Sequence, residues 1–204
     1  EIFEFLRSEK RLDPLTAQFG SFYDFAKAQL FGEWYKRKPD EIDSKKLVKG
    51  LRPVLKGEYF RRKKKDFIRT EWGDVPLDAS SSGQQESLPL LISILMYPDS
   101  DKKSDLLTIE EPEAHLYPES QKYILDLMVK QDTEGKCSVN FTTHSPYILA
   151  CLNNHAVKVE NGPIEKRLFD AFLVSDGRVV SLVDKEDGLI DLNELDKTSE
   201  KIAN

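Results

Sequence analysis

Glu110 and Glu111 stand side by side, after the apolar run Leu106-Leu107-Thr108-Ile109 and before Pro112. Adjacent carboxylates repel, so a positive partner must offset them. A magnesium ion with nucleotide phosphates is the chemistry that fits. His144 follows Ser138-Val139-Asn140-Phe141-Thr142-Thr143 and precedes Ser145-Pro146. A neutral imidazole donates from one ring nitrogen and accepts at the other, which suits a bridging role. Upstream, Ser80-Ser81-Ser82-Gly83-Gln84-Gln85 leads into an apolar-periodic segment. A helix N-terminus carries unpaired N–H groups and partial positive charge, so it attracts phosphate. Small residues allow close approach, and hydroxyls add donors.

These side chains need a scaffold. Residues 106–109 read as a buried parallel strand, with the acids at its carboxyl end, where α/β sheets hold ligands. Pro112 lacks an N–H and ends the ladder. Cys137–Thr143 reads as a second strand. The segment from Ser80 to Gln85 opens a helix, with Ser82 or Ser81 as N-cap and Glu86 or Gln85 near the third position. Its body carries Leu88, Leu90, Leu91, Ile94 and Leu95, and Tyr97-Pro98 closes it. A further helix starts at Pro118-Glu119, runs through Ile124, Leu125 and Met128, and ends at Gly135. Another runs from Pro146 to about Leu152. Segments 155–160, 169–174 and 178–184 read as strands, and Gly188-Leu189-Ile190-Asp191 leads into a last short helix.

The amino-terminal part reads differently. Residues 1 to about 52 are helical in pattern, with Phe22, Phe25, Ala26, Gln29 and Leu30 at helical spacing and a break at Pro39-Asp40. Asp43 or Ser44 caps a second helix carrying Leu47, Val48 and Leu51. Tyr59-Phe60 and Phe67-Ile68-Arg69 form two strands around the basic turn Arg61-Arg62-Lys63-Lys64-Lys65, and Trp72–Pro76 is a turn into Leu77. Five successive cations suit either a solvated hairpin tip or nucleic-acid contact.

With 204 residues, 32% charged and 39% hydrophobic, the chain can bury a sizeable core. A net charge of −6 argues against a nucleic-acid-binding surface spread over the whole protein. No apolar run reaches the ~20 residues of a membrane helix. Cys137 and Cys151 give neither a disulfide framework nor a metal-ligand spacing, so a reduced, cytoplasmic setting is expected.

The three motifs, in this order, resemble the signature motif, Walker B segment and switch histidine of the ABC ATPase superfamily. The wordings Glu-Glu-Pro-Glu-Ala-His-Leu and Thr-His-Ser-Pro are most similar to the branch of RecF, SMC and overcoming-lysogenization-defect (OLD) ATPases. The resemblance covers roughly Leu77 to Leu152. It implies an α/β fold: the C-terminal part of an ABC-type head, a mostly parallel sheet flanked by helices, at 77–204. A helical and β-hairpin lobe precedes it at 1–76. It implies ATP and magnesium as cofactors. Glu110 would hold the metal through water at a position usually taken by aspartate, and Glu111 would orient or deprotonate the attacking water. His144 would contact the γ-phosphate. Ser81, Ser82, Gly83 and Gln84 would read the γ-phosphate bound on a partner subunit, with Ser82 where glycine is frequent. Glu113–Pro118 corresponds to the D-loop, which brings His115 toward the partner's site.

The resemblance also implies a homodimer or higher homo-oligomer around nucleotide. Asp187-Gly188-Leu189-Ile190-Asp191 resembles the close of small stand-alone bacterial ATPases of this branch, many of which serve OLD-like, Septu-type and retron-associated anti-phage systems, so a nuclease effector is an expected partner, with DNA or RNA as a further one. A DNA-repair or chromosome-handling ATPase and a non-hydrolysing nucleotide-dependent scaffold stay open as alternatives. A P-loop needs Gly, four residues, then Gly-Lys-Ser/Thr. Gly135-Lys136-Cys137 fails, because Lys130 stands where the first glycine belongs and cysteine replaces Ser/Thr. In ABC ATPases the P-loop comes first, so the chain is expected to be the later part of a head that alone neither binds nor hydrolyses nucleotide well.

Overall fold

The computed structural model describes residues 13–31, 44–63, 65–96, 106–135, 137–160 and 169–192. In chain order the elements are α1 (Pro14–Phe31), α2 (Ser44–Leu55), β1 (Glu58–Arg62), β2 (Lys65–Thr70), β3 (Gly73–Pro76), a short 3-10 turn at Leu77–Ala79 and α3 (Ser82–Met96). Then follow β4 (Leu106–Glu110), α4 (Pro118–Thr133), β5 (Ser138–Thr142), α5 (Pro146–Glu160), β6 (Phe172–Ser175) and β7 (Arg178–Ser181). Helices and sheets alternate as an α/β chain requires. The chain divides into two compact units, residues 1–108 with 127–140, and residues 109–126 with 141–204.

In the first unit, α1 and α2 pack on α3. The Asp13 carboxylate caps α1, accepting from the Thr16 N–H at 3.0 Å. Leu51 and Leu55 of α2 and Leu88, Leu91 and Ile92 of α3 are fully buried, with Tyr59 and Ile68 from β1 and β2. Tyr59 and Ile68 are paired across the β1–β2 register, so one face of the hairpin joins this core. Gly57 sits at the junction: a Cβ there would meet the Arg69 carbonyl oxygen at 2.7 Å, so only glycine lets α2 turn into the sheet.

The same face carries a half-buried polar hub at Asp66. The Tyr59 hydroxyl donates to it at 2.6 Å, Lys27 of α1 reaches it at 3.4 Å, and Arg61 lies at 3.4 Å. Burial pushes the Tyr59 phenol well above the ordinary tyrosine range, and its bond to Asp66 pushes it the same way. On the opposite face Phe60 stacks on Phe67 at 5.4 Å between centroids, with Arg69 over Phe60 at 4.6 Å and Arg62 over Phe67 at 4.7 Å.

The second unit contains the turn from Glu111 to Tyr117, the first half of α4, and α5. Ile124, Leu125, Ile148, Leu149 and Leu152 are buried, as are Leu182, Val183 and Ile190 beyond the β6–β7 hairpin. The Asn153 amide donates to the Ile190 carbonyl at 3.0 Å and accepts from the Ile190 N–H at 2.8 Å, tying α5 to the segment after β7.

Four expectations need correction. Trp72–Pro76 is not only a turn: Gly73–Pro76 is a third strand, with Val75 opposite Ile68 and Asp74 opposite Arg69. Thr70 builds the tight connection, donating to the Gly73 carbonyl and accepting from the Trp72 N–H, while Asp and Pro hid the strand from a propensity reading. Residues 155–160 are not a strand. They continue α5, because no glycine or proline interrupts the helix and the Asn153 contacts hold it past Leu152. The third position of the α3 cap is Gln84, not Gln85 or Glu86, because Ser81 is the N-cap. Finally, β4 is less buried than an interior strand. Ile109 is buried but Leu106 is 57% exposed, since β4 pairs only with β5 among the described residues. The breaks expected near Pro39-Asp40 and Tyr97-Pro98 and the last helix lie outside the described residues, as do the side chains of Leu47 and Val48.

Candidate functional site

The acids stand at the end of β4 because an apolar strand runs into a proline. The Glu111 N–H donates to the Thr142 carbonyl at 3.1 Å, which sets the carboxyl ends of β4 and β5 side by side and makes the pair parallel. Glu111 itself takes a left-handed backbone, φ 45°, which a side chain with a Cβ adopts at a cost. The chain then folds tightly. The Ala114 N–H returns to the Glu111 carbonyl and the Leu116 N–H to the Glu113 carbonyl, both at 3.0 Å, and His115 is left-handed at φ 57°.

The turn and the end of β5 share a hydrogen-bond network. One oxygen of Glu113, Oε1, accepts from the Thr143 hydroxyl and from the His144 N–H, both at 2.7 Å. The Thr143 hydroxyl oxygen accepts from the Ser145 N–H at 3.0 Å. The Ser145 hydroxyl donates to Gln121 Oε1 at 2.6 Å and receives the Ile148 N–H, which caps α5. Gln121 Nε2 donates to the Leu116 carbonyl at 2.8 Å, closing the loop back to the turn. His144 therefore owes its position to its backbone, for its side chain is 88% exposed. Its Nε2 stands 3.6 Å from Glu111 Oε1, beyond a hydrogen bond but close enough for both groups to face one small ligand.

Two of the four candidate unit-2 groups are thus brought together, Glu111 and His144. Glu110 is exposed at the same strand end, and His115 is exposed in the following turn. Among the described residues no group of three or more His, Cys, Asp or Glu side chains could hold a metal alone. Magnesium typically uses one or two protein carboxylates and completes its shell with water and substrate phosphates, so the exposed Glu110–Glu111 pair fits that ion.

Ser81, Ser82, Gly83 and Gln84 lie in the first unit. Ser81 and Gln84 form a reciprocal capping box: the Ser81 N–H donates to Gln84 Oε1 at 3.1 Å, and the Gln84 N–H donates to Ser81 Oγ at 3.3 Å. Gln84 Nε2 also donates to the Leu55 carbonyl at 2.7 Å. Gln84 is therefore held as a brace for the helix start. Ser82 is exposed, and neither its hydroxyl nor the Ser82 and Gly83 N–H groups have a partner among the described residues. Gly83 is buried, so the donors of the exposed Ser82 are the ones an anion would find.

Sequence reasoning placed the acids, the serines and His144, but missed the clamp formed by Glu113, Thr143, Ser145 and Gln121. The available signal was a third acid just past Pro112 and two hydroxyls flanking His144.

The family described as "AAA domain, putative AbiEii toxin, Type IV TA system" matches residues 6–150, well over half of the chain. Among curated proteins, the chain is similar to the energy-coupling factor transporter ATP-binding protein EcfA2 of Mycoplasma mobile. The two are 27% identical over 187 residues, covering 90% of this chain and 54% of that protein. The chain spans about half the length of that curated relative. Among solved structures it is similar, at 15% identity and a TM-score of 0.49, to a chain from work on ATP-driven dimerization and DNA stimulated activation of SMC ATPases. That similarity covers 78% of this chain and 90% of the other.

Proposed function

The chain belongs to the family described as "AAA domain, putative AbiEii toxin, Type IV TA system", within the ABC/AAA ATPase superfamily, and we propose that it supplies the catalytic acids of an ATP-hydrolysing head that closes as a dimer around nucleotide. The observation that carries this reading is the 3.6 Å approach of His144 Nε2 to Glu111 Oε1 at the shared end of two parallel strands. Phosphoryl transfer needs a positioned water and donors on the transferred group. Glu111 orients and deprotonates the water, and His144 binds the γ-phosphate. Magnesium, when bound, neutralises phosphate charge, and Glu110 would hold it through water.

The donors of Ser82 serve the γ-phosphate of the partner subunit's nucleotide, with Ser81, Gly83 and Gln84 keeping the helix start in shape. His115, in the turn after the acids, faces that partner. In this reading residues 1–76 are an accessory lobe and 77–204 the later part of the head. The finer assignment is to the OLD-like branch, with the ATPase governing a nuclease effector in anti-phage defence. The test is hydrolysis by the intact protein carrying Glu111→Gln. A loss of on the order of a hundredfold or more with nucleotide binding retained is expected for removal of the base. Unchanged turnover would leave a nucleotide-dependent scaffold as the better reading.

Direct nucleic-acid contact at the basic turn is a second reading, supported by the exposure of Lys63 and Lys65. Pairing of Arg61 with Asp66 and of Arg62 with Asp74 weighs against it. Reversing Lys63 and Lys65 lowers DNA affinity and flattens its salt dependence only if that surface binds DNA.

A further inference from the structure

We propose that Glu113 is a positioning residue that sets the separation of Glu111 and His144, an inference that rests on the hydrolytic reading above. Three observations carry it. The His144 ring is 88% exposed, so packing does not aim it, and its backbone must. That backbone is held by the 2.7 Å bond from its own N–H to Glu113 Oε1, and the residue before it by the 2.7 Å bond from the Thr143 hydroxyl to the same oxygen. Glu113 in turn sits two residues past Glu111, in a turn closed by the Glu111 carbonyl and begun by its left-handed backbone. One carboxylate oxygen therefore links the acidic strand end to the histidine across 31 residues of sequence.

The other oxygen gives the independent hint. Glu113 Oε2 is buried and has no partner among the described residues. An unsatisfied buried acceptor costs stability, and its retention asks for a role beyond packing. Thr143 alone could be satisfied by a smaller or neutral acceptor. A rigid, doubly loaded carboxylate fixes a backbone N–H more tightly, because hydrogen bonds to an ionised acceptor are shorter and stronger.

Hydrolysis is measured on the intact protein with Glu113→Ala, Glu113→Gln, Thr143→Val, His144→Ala and the Glu113→Ala/His144→Ala double variant. Misplacing a catalytic group by a fraction of an ångström to an ångström costs on the order of 10- to 100-fold. Glu113→Ala should lower kcat within that range and leave the KM for ATP within about twofold. Glu113→Gln keeps an acceptor oxygen but not the charge, and its kcat should fall between those of wild type and Glu113→Ala. In the His144→Ala background, removing Glu113 should cost almost nothing further, because the residue acts through the histidine.

Multiplicative losses in the double variant, or a Glu113→Ala loss confined to KM, overturn the proposal. If Glu113→Ala does not fold, Thr143→Val reads the same clamp: a kcat-only decrease supports it and a full rate overturns it. A harmless His144→Ala is a different failure, that of the hydrolytic reading itself. A damaging His144→Ala beside a harmless Glu113→Ala rejects the positioning role alone.

Discussion

Replacing Glu111 by glycine should make the chain more stable while removing its chemistry. Glu111 sits at φ 45°, and a left-handed backbone costs a residue with a Cβ about 1–2 kcal/mol. Glycine is freed of that cost but loses about 0.5–1 kcal/mol more conformational entropy on folding. The pair with His144 adds little to the balance, because both side chains are more than half exposed. The net expectation is a gain of roughly 0.5–1 kcal/mol, or a rise in Tm of about 1–4 °C for a chain of this size. Thermal unfolding followed by circular dichroism reads it, with Glu111→Gln, which keeps the strained backbone, as the unshifted control. A glycine variant that melts several degrees lower would refute the claim that the strand exit stores strain. A stabilised variant that still hydrolyses ATP would refute the assignment of Glu111 as the base.

The Asp66 hub predicts a graded series. Tyr59→Phe should cost about 1.5–3 kcal/mol by denaturant unfolding, the ordinary worth of a hydrogen bond to a charged acceptor. Asp66→Ala, which strands the buried Lys27 ammonium, should cost about 3 kcal/mol or more. Equal losses for the two would contradict the hub. Gly57→Ala should cost about 1–3 kcal/mol, because the new Cβ meets the Arg69 carbonyl at 2.7 Å and backbone must move; an unchanged Tm would show the junction to be slack. Burial alone would raise the Asp126 carboxyl, but bonds from Lys122 and His155 outweigh it and hold the group below its usual 3.8. Its contribution is thus full above that pH and is lost as pH falls through the lowered value. The stability gap between wild type and Asp126→Asn should accordingly close only in acid, and a gap that persists there would contradict the assignment.

Local chemistry was legible in the sequence where the cause is local. An apolar run into Glu110-Glu111-Pro112 ends a strand, Pro118 and Pro146 start helices, and one of the serines at 81 and 82 caps α3, although the glutamine that answers it is Gln84 rather than Gln85. The α/β fold class was what the resemblance of the three motifs implied, and the element order agrees with it. The Asp66 hub was not legible, since an acid after five cations gives no hint that a tyrosine and a lysine on separate elements converge on it. Nor was the clamp on His144, whose halves lie 30 residues apart and meet only once β4 and β5 are in register. The run to Glu160 was misread because Val157 and Val159 favour strands in isolation, and a helix already anchored at Asn153 overrides that preference.

The most direct test of a shared site mixes two dead proteins. Intact protein carrying Glu111→Gln and intact protein carrying Ser82→Arg are each inactive alone if a site joins one subunit's acid to the other's serine. In an equal mixture, half the dimers are mixed, and each mixed dimer keeps one site with both native groups. Turnover should return to about a quarter of the wild-type rate. A mixture as inactive as its components, with subunit exchange demonstrated, would mean that Glu111 and Ser82 do not meet across a dimer.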